Sequence, residues 1–260
     1  MEIIDLAPEH MEDFSQCLED WSADAREGAP RRARWVERFL DRGLRAKLAV
    51  EGGTVGAMIQ YLPIEQSQVG GEGLHFIPCV WVHGHKKGRG DFRGKGMGSA
   101  LLEAAEADAR ALGARGMAAW GLWLPFWMRA SWFRRRGYRK ADRNGISVLV
   151  WKPFTDDARP PRWLDRGGKI PDPIPGKVNV TAYVNGWCMA LDLSAERAKR
   201  AAAEIGDRVV FREIDTSERG SVAKHGFSDA LFIDGKQVRT GPPPTYEKIH
   251  ALIEKRARRL

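Results

Sequence analysis

Cysteine is scarce in this chain of 260 residues, and its three copies, Cys17, Cys79 and Cys188, lie far apart. An odd number at such spacing argues against a disulfide framework and against a zinc cluster, so we expect no metal. The scarcity fits the reducing cytoplasm instead. Long hydrophobic runs are missing too, since none reaches the roughly 18 residues that cross a bilayer, and the N-terminus lacks a signal-peptide pattern. We therefore expect a cytoplasmic protein without a membrane partner.

Acidic side chains are fewer than basic ones, and the formal net charge is +8. Two basic runs, 134–136 and 255–259, raise the question of nucleic-acid binding. Aromatic-interleaved RNA-binding patterns, zinc-finger spacing and a recognisable recognition helix are missing, however, and a ligand with several phosphate charges would also favour a basic cleft. We therefore do not expect a nucleic-acid partner. Hydrophobic residues make up 43% of the chain, which suits a globular protein with a sizeable core, and the length suits about two domains.

The most informative stretch is a glycine-rich run, Arg93-Gly94-Lys95-Gly96-Met97-Gly98. An apolar segment, 76–82, precedes it and an alanine- and leucine-rich segment, 99–112, follows it, so a strand, a turn and a helix start come in succession. Glycines let the backbone approach a ligand closely, and N–H groups at a helix N-terminus attract phosphate. Five cations crowd the region against one acid, Asp91: Lys86, Lys87, Arg89, Arg93 and Lys95. The run therefore predicts a pyrophosphate site.

The spacing of the run decides between kinds of pyrophosphate site. A P-loop would need a glycine at Arg89 and Ser or Thr at Gly96, and a dinucleotide fingerprint would need a glycine at Ser99. The pattern that fits is Arg-x-x-Gly-x-Gly, and here the sequence resembles the GNAT superfamily of acyl-CoA-dependent N-acetyltransferases. The resemblance implies that main-chain N–H groups from Arg93 to Ser99 hold the pyrophosphate of coenzyme A. The alternative is a helix start rich in small residues that binds no ligand.

Periodicity predicts the elements of a first domain over residues 1–155. The expected strands are 2–6, 46–51, 54–62, 74–82, 115–121 and 145–152, and the expected helices are 8–20, 30–41, 99–112 and 126–136. The second and third strands form a hairpin through Gly52-Gly53. This order matches the acetyltransferase fold, an α/β (α+β) architecture whose mixed sheet is splayed open at its middle.

A proline-rich linker, 156–176, is expected to connect this domain to a second one. In residues 177–260, periodicity predicts strands at 178–184, 209–214, 230–233 and 237–240, with helices at 189–204, 217–224 and 245–258. That βαβαββα order is the thioredoxin order, with Cys188 at a helix N-terminus. Together with Asn185-Gly186-Trp187-Cys188 and the segment 231–236, it makes the chain resemble GNAT proteins that carry a YoaP-like C-terminal domain.

The resemblance also implies where acyl transfer would occur. Main-chain N–H groups of Val80, Trp81 and Val82 are the candidate donors to the acyl oxygen and the pantetheine arm. Glu72 and His75, near the start of the same strand, are candidate general bases, with proton loss to water as the alternative.

The general acid is the point at which the sequence departs from the family pattern. Where many family members carry a tyrosine, this chain has Phe133. The thiolate can leave without full protonation, since its pKa is about 8.5, or Tyr61 or Tyr138 could take the place of the acid, and the sequence selects neither tyrosine. The aromatic stretch 120–133 is expected to be core, with the wall of an acceptor pocket as the alternative.

Dithiol exchange is not expected in the second domain. Leu191 stands where a resolving cysteine would be, and Ser228-Asp229 replaces the usual cis-proline. Cys188 is left either as a reactive thiol for a thiol-bearing or protein partner or as a buried remnant of a scaffold.

The sequence therefore predicts an acetyl-CoA-dependent N-acetyltransferase that acts on a small-molecule amine and carries an accessory thioredoxin-like domain. The alternatives are a non-catalytic acyl-CoA sensor and a thiol-dependent binding or redox protein that uses Cys188.

Overall fold

The structure is a computed structural model that describes residues 1–124, 127–164, 168, 170–238 and 242–260. By its contacts the chain divides into two compact units. Unit 1 comprises Met1–Ser22 and Ala33–Leu164, and unit 2 comprises Ala23–Arg32 and Asp165–Leu260. A mixed α/β architecture with a GNAT-like mixed sheet is confirmed.

Unit 1 is built around a seven-stranded sheet with the order β1-β2-β3-β5-β6-β8-β7. Its strands are β1 (Glu2–Asp5), β2 (Arg45–Glu51), β3 (Thr54–Pro63), β5 (Leu74–Val82), β6 (Gly116–Leu122), β7 (Arg139–Asn144) and β8 (Ser147–Pro153), with β4 (Val69–Gly70) and β9 (Arg162–Trp163) paired apart from them. Its helices are α1 (Met11–Ser15), the last eight residues of α2 (Ala23–Leu40), α3 (Met97–Ala111) and α4 (Ala130–Arg134), with short 3-10 turns at Pro8–His10 and Ile64–Gln66. Only β5 and β6 run parallel; the other neighbours in the sheet are antiparallel.

Most predicted strands lie where the sequence placed them, whereas several helices differ. The helix expected at 8–20 is shorter, and the one expected from Pro30 begins at Ala23 with Pro30 inside it. Proline favours the first turn of a helix, which is why the sequence suggested a start there. The helix expected at 126–136 is confined to Ala130–Arg134, and its first expected residue, Phe126, lies outside the described residues.

A proline explains why the central sheet opens. Strands β5 and β6 pair from Leu74 with Gly116 to Ile77 with Ala119, and the next residue of β5 is Pro78. Proline has no N–H to donate to a ladder, so the pairing stops there. The Trp120 indole Nε1 donates to the Pro78 carbonyl across the opening at 2.7 Å. We call the gap between β5 and β6 beyond this point the split.

Helix α3 packs on the sheet and carries a polar contact into it. The Tyr61 hydroxyl donates to Asp108 at 2.6 Å, and the Arg45 guanidinium lies 2.5 Å from the same carboxylate. Burial by itself would raise the pKa of Asp108, but the hydrogen bonds from Tyr61 and Arg45 outweigh it and lower the pKa. The folded state therefore favours the charged form of this carboxylate.

We expect Asp108→Asn to lower the free energy of unfolding at neutral pH by about 1–2 kcal/mol, because a hydrogen bond to a charged group is replaced by a neutral one. Since the folded pKa lies below the unfolded value of about 3.9, this contribution is complete above about pH 5 and is lost as the pH falls through the folded pKa. Urea denaturation of both proteins from pH 7 to pH 3 measures it: the two curves should converge at low pH. The exposed Asp5, which pairs with Lys47, supplies the control, because Asp5→Asn should change stability by less than about 0.5 kcal/mol at any pH. A constant gap between the Asp108→Asn and wild-type curves would contradict this account.

Unit 2 has a four-stranded sheet with the order β11-β10-β12-β13. The strands are β10 (Val178–Val184), β11 (Val209–Asp215), β12 (Ala230–Ile233) and β13 (Lys236–Gln237), and the helices are α5 (Met189–Ile205), α6 (Arg219–His225) and α7 (Tyr246–Ala257). Strand β10 is parallel to β11 and antiparallel to β12. The turn between β12 and β13 has positive φ at Asp234 and Gly235, as the hairpin pattern requires. Of the strand expected at 237–240, Arg239 and Thr240 lie outside the described residues.

Helix α2 contributes its first ten residues, Ala23–Arg32, to unit 2. There Arg31 bonds Glu196 of α5 and Glu213 of β11, and Arg197 of α5 lies 2.5 Å from Asp24. Arg31 and Glu196 are 165 residues apart in the sequence. The sequence had placed the whole helix in the first domain.

Candidate active site

The glycine-rich run forms the turn into α3. Gly94 and Gly96 have φ values of 77° and 81°, a left-handed conformation that favours glycine, and Gly96 is the N-cap of the helix. Within the described ranges, no side chain accepts a capping hydrogen bond at this end of the helix. The N–H groups of Ser99 and Ala100 donate to the Gly96 carbonyl, whereas helix geometry leaves the first N–H groups, at Met97 and Gly98, without an intrahelical acceptor. The turn therefore offers N–H donors to an anion.

The balance of charge around the glycine turn differs from the one counted in the sequence. Five cations were weighed against Asp91 alone, but folding brings further acids to them. Arg89 bonds Asp13 and Asp20 of the α1 region, and Lys95 bonds Glu51 at the end of β2. Arg93 is held by Asp91 at 2.6 Å. The excess of positive charge at the turn is therefore smaller than the sequence suggested, although exposed ion pairs such as those of Arg93 and Lys95 are weak and can exchange for a phosphate.

Arg136 is a cation at this turn that the sequence analysis missed. Its guanidinium donates to the Ser99 hydroxyl in the first turn of α3, at 2.7 and 3.2 Å, and to the Trp132 carbonyl at 2.9 Å. It also stacks on the Trp132 ring, 3.9 Å from the centroid. Burial and the nearby Arg135 lower the pKa of Arg136, so its surroundings disfavour its charge. A cation beside the positive end of a helix is suited to an added anion.

The split exposes one edge of β5. The Val80 N–H points across it to the Met128 sulfur at 3.5 Å, while the His83 N–H points the other way, to Gly56 of β3. Because N–H groups alternate along an antiparallel strand, Val80 and Val82 face the split and Trp81 faces β3. A thioether sulfur is a weak acceptor, so the Val80 N–H has a poor partner. Of the three expected donors, the N–H groups of Val80 and Val82 therefore face the split, and that of Trp81 faces β3.

The two candidate bases lie at the paired end of the sheet. Glu72 is exposed and pairs with Arg115 at 3.2 Å. His75 is 8% exposed, beneath Tyr61, and burial lowers its pKa against the opposing charges of Asp108 and Glu65. Five residues of strand separate His75 from Val80, which is about 16 Å. The structure does not bring these two side chains to the split.

The candidate acids are buried as well. Tyr138 is 3% exposed, and burial together with the nearby Glu106 raises its pKa well above the usual value. Its ring packs edge-on against Phe133, which is fully buried. Tyr61 donates to Asp108, and burial raises its pKa too. A high pKa keeps a phenol protonated, but both hydroxyl groups are buried, so neither is placed to donate a proton to a group in solvent.

The aromatic stretch divides between core and surface. Phe133 lies in the main hydrophobic core, and Trp120, Trp127 and Trp132 pack against it. Trp123 is exposed, with Arg143 over its ring. Phe126 and Pro125 lie outside the described residues. The core interpretation therefore holds for most of the described aromatics, and Trp120 and Trp127 also border the split.

Cys188 lies at the N-cap of α5 and is 4% exposed. The loop before it is fixed by Asp229, which accepts from the Trp187 indole, the Asn185 N–H and the Ser228 hydroxyl. Burial raises the pKa of Asp229 above its usual range in spite of these three donors. All three cysteines of the chain are thiols. The Asp229 carboxyl group therefore holds the loop that leads to Cys188.

In the described part of the chain, no cluster of His, Cys, Asp and Glu side chains has the arrangement of a metal site. No helix there combines the length and the apolar character needed to cross a bilayer.

Comparison with known proteins finds a family match in the N-terminal part of the chain. The model of the acetyltransferase (GNAT) family matches residues 7–123. Among curated proteins, none matches the sequence.

Solved structures similar to this chain include three acetyltransferases with a bound coenzyme. A GNAT family acetyltransferase from Brucella melitensis in complex with acetyl-CoA has 19% identity and a TM-score of 0.43, over 61% of this chain and 91% of its own. The PaiA N-acetyltransferase from Thermoplasma acidophilum in complex with coenzyme A has 14% identity and a TM-score of 0.44, over 59% and 98%. The Escherichia coli N-acetyltransferase YhbS in complex with CoA has 14% identity and a TM-score of 0.45, over 62% and 88%. The similarity to acetyltransferases of the GNAT family therefore covers residues 7–123.

Proposed function

We propose that this protein is an acetyl-CoA-dependent N-acetyltransferase whose acceptor is the amine of a small molecule. The observation that carries the proposal is the Val80 N–H, which faces the split and has a thioether as its partner among the described residues. The same strand leads through the loop to the glycine turn of α3, so a donor for an acyl oxygen and donors for a pyrophosphate belong to one segment of chain.

The residues present fit coenzyme A. The N–H groups of the turn from Gly94 to Ser99 would bind the pyrophosphate, and Arg136 would supply the charge beside it. Arg93 and Lys95 would exchange their carboxylate partners for phosphate oxygens, since both side chains are largely exposed. Along β5, the N–H groups of Val80 and Val82 would hold the acyl oxygen and the pantetheine arm.

Acetyl-CoA supplies a thioester whose acyl carbon the amine attacks, and the carbon–sulfur bond then breaks to release a thiolate. The Val80 N–H would stabilise the negative charge that develops on the acyl oxygen, a contribution of about 3 kcal/mol for a well-placed donor. We assign the proton of the attacking ammonium to water, because Glu72 and His75 lie at the paired end of the sheet. A thiol with a pKa of about 8.5 can leave without full protonation, so the buried Tyr138 is not required.

Release of free thiol from acetyl-CoA tests the proposal. Against a panel of polyamines, amino acids, aminoglycosides and peptide N-termini, the wild type should release thiol with at least one amine well above its rate without acceptor. Cys188→Ser should keep at least half of that rate, because the split and the glycine turn lie in the other unit. Thiol release that disappears with Cys188→Ser would favour the thiol-dependent alternative instead.

A non-catalytic acyl-CoA sensor is the second candidate, and one observation favours it. Phe133 stands where many family members carry the tyrosine acid, and the nearby Tyr138 hydroxyl is buried beside Glu106. Tight binding of acetyl-CoA by calorimetry, with no thiol release for any amine, would identify the sensor.

The second unit we propose to be an accessory thioredoxin-like, YoaP-like domain that binds substrate or partner, with domain bounds near 1–155 and 177–260. Its support is the strand order β11-β10-β12-β13 with β10 parallel to β11. The burial of Cys188 favours a scaffold role over a reactive thiol. Three thiols without a disulfide suit the cytoplasm that the sequence predicts.

A further inference from the structure

We propose that Met128 limits the length of the acyl group that the split accepts, an inference that rests on the acyl transfer proposed above. The sulfur of Met128 lies 3.5 Å from the Val80 N–H. That N–H is the donor proposed for the acyl oxygen, so the Met128 side chain borders the space that an acyl group enters.

Met128 is held in this position by its backbone. Its φ is +49°, which is uncommon for a residue other than glycine, and its carbonyl accepts from the Leu122 N–H at 2.7 Å. The chain beyond β6 thus turns back against the strand that it has just left. It can do so because Gly121 has no side chain: a Cβ there would lie 2.7 Å from the Met128 oxygen and 2.6 Å from the Ala130 nitrogen. The backbone conformation therefore holds Met128 close to the Val80 N–H.

Large side chains surround this space. The Trp120 indole is fixed to the Pro78 carbonyl, and the Trp120 and Trp127 rings meet edge to face with centroids 5.4 Å apart. Met128 itself is 6% exposed. Of these three side chains methionine is the one with an unbranched, flexible stem, so it can move aside for a small group while the two indoles stay in place. An acetyl group needs a small displacement, and each further methylene needs more.

The test compares two thioesters in a binding experiment that needs no acceptor. Dissociation constants for acetyl-CoA, butyryl-CoA and coenzyme A are measured by calorimetry for the wild type, Met128→Ala and Met128→Leu. In Met128→Ala, the ratio of butyryl-CoA affinity to acetyl-CoA affinity should rise about tenfold, because two further methylenes become buried in the space that is freed. The affinity for coenzyme A, which has no acyl group, should stay within about twofold of the wild-type value and so reports that the site is folded.

Met128→Leu conserves the volume but has a branched, stiffer stem, so its ratio should not exceed that of the wild type. An unchanged ratio in Met128→Ala, with acetyl-CoA still bound, would overturn the role of Met128 and leave the proposed function standing. Absence of binding of any of the three compounds to the wild type would overturn both. Should Met128→Ala not fold, Met128→Val replaces it, with a smaller expected rise of about threefold.

Discussion

Gly98→Asp should lower the affinity for acetyl-CoA by at least 100-fold. Gly98 is the second residue of α3, and a Cβ built on it lies 3.4 Å from the Trp132 ring and 3.6 Å from Val82, which are ordinary contact distances. The new side chain therefore fits, and its carboxylate would lie where the pyrophosphate is proposed to bind. Two unit charges about 4 Å apart repel by about 4 kcal/mol near a protein surface, which corresponds to about 1000-fold in affinity.

The fold should survive this change, because a carboxylate in the first turn of a helix is stabilising by about 0.3–1 kcal/mol. Gly98→Asn is the matched control: it has nearly the same volume and no charge, and it should lose much less affinity than the aspartate variant. Calorimetry with acetyl-CoA measures the affinities, and thermal denaturation checks the fold. Equal losses for Asp and Asn would mean that shape rather than charge matters at Gly98, and wild-type affinity in Gly98→Asp would exclude the pyrophosphate from this turn.

Arg136→Ala should weaken acetyl-CoA binding by about 10- to 100-fold. The guanidinium is fixed at the first turn of α3 by Ser99 and by the Trp132 ring, so it is preorganised for an anion that binds there. A hydrogen bond between charged groups contributes about 1.5–3 kcal/mol, which corresponds to this range of affinity. The loss should shrink in high salt, because ions screen the attraction that the variant lacks.

Two variants make this result specific to Arg136. Arg134→Ala removes the same charge from an exposed side chain on α4 and should change the affinity by less than about threefold. Arg136→Lys keeps the charge but cannot keep both the Ser99 bond and the stacking on Trp132, so its affinity should fall between the wild type and the alanine variant. If Arg134→Ala and Arg136→Ala weaken binding equally, the effect comes from overall charge and the assignment of Arg136 to the site is wrong.

Local backbone chemistry explains which parts of the fold could be predicted. The strands at 178–184 and 230–233 were predicted with the observed bounds, since alternating apolar residues end at clear turn signals. The hairpin at Gly52-Gly53 and the turn before α3 follow from glycines that adopt positive φ. Helix α2 was predicted too short because tertiary packing carries the helix through Pro30.

Contacts between segments that are distant in the sequence explain the features that could not be predicted. The count of acidic residues at the turn was incomplete because Asp13, Asp20 and Glu51 reach Arg89 and Lys95 only after folding. Arg136 stood in the sequence as one arginine among several in a basic run, and nothing local indicated that it bonds Ser99. His75 lies in the same strand as Val80, but at the end of β5 that pairs with β6, and this difference depends on where β6 leaves β5.

The sequence alone determined that a strand, a glycine turn and a helix follow one another, because φ preferences and hydrophobic period act over a few residues. Pro78 likewise stands in the sequence, but only the neighbouring strand makes it the point where pairing stops. Only the tertiary structure decided which groups meet at the split and at the turn: Val80 with Met128, and Ser99 with Arg136. Such pairs join residues 48 and 37 positions apart, and they form because burying the core brings these elements together rather than because of any local preference.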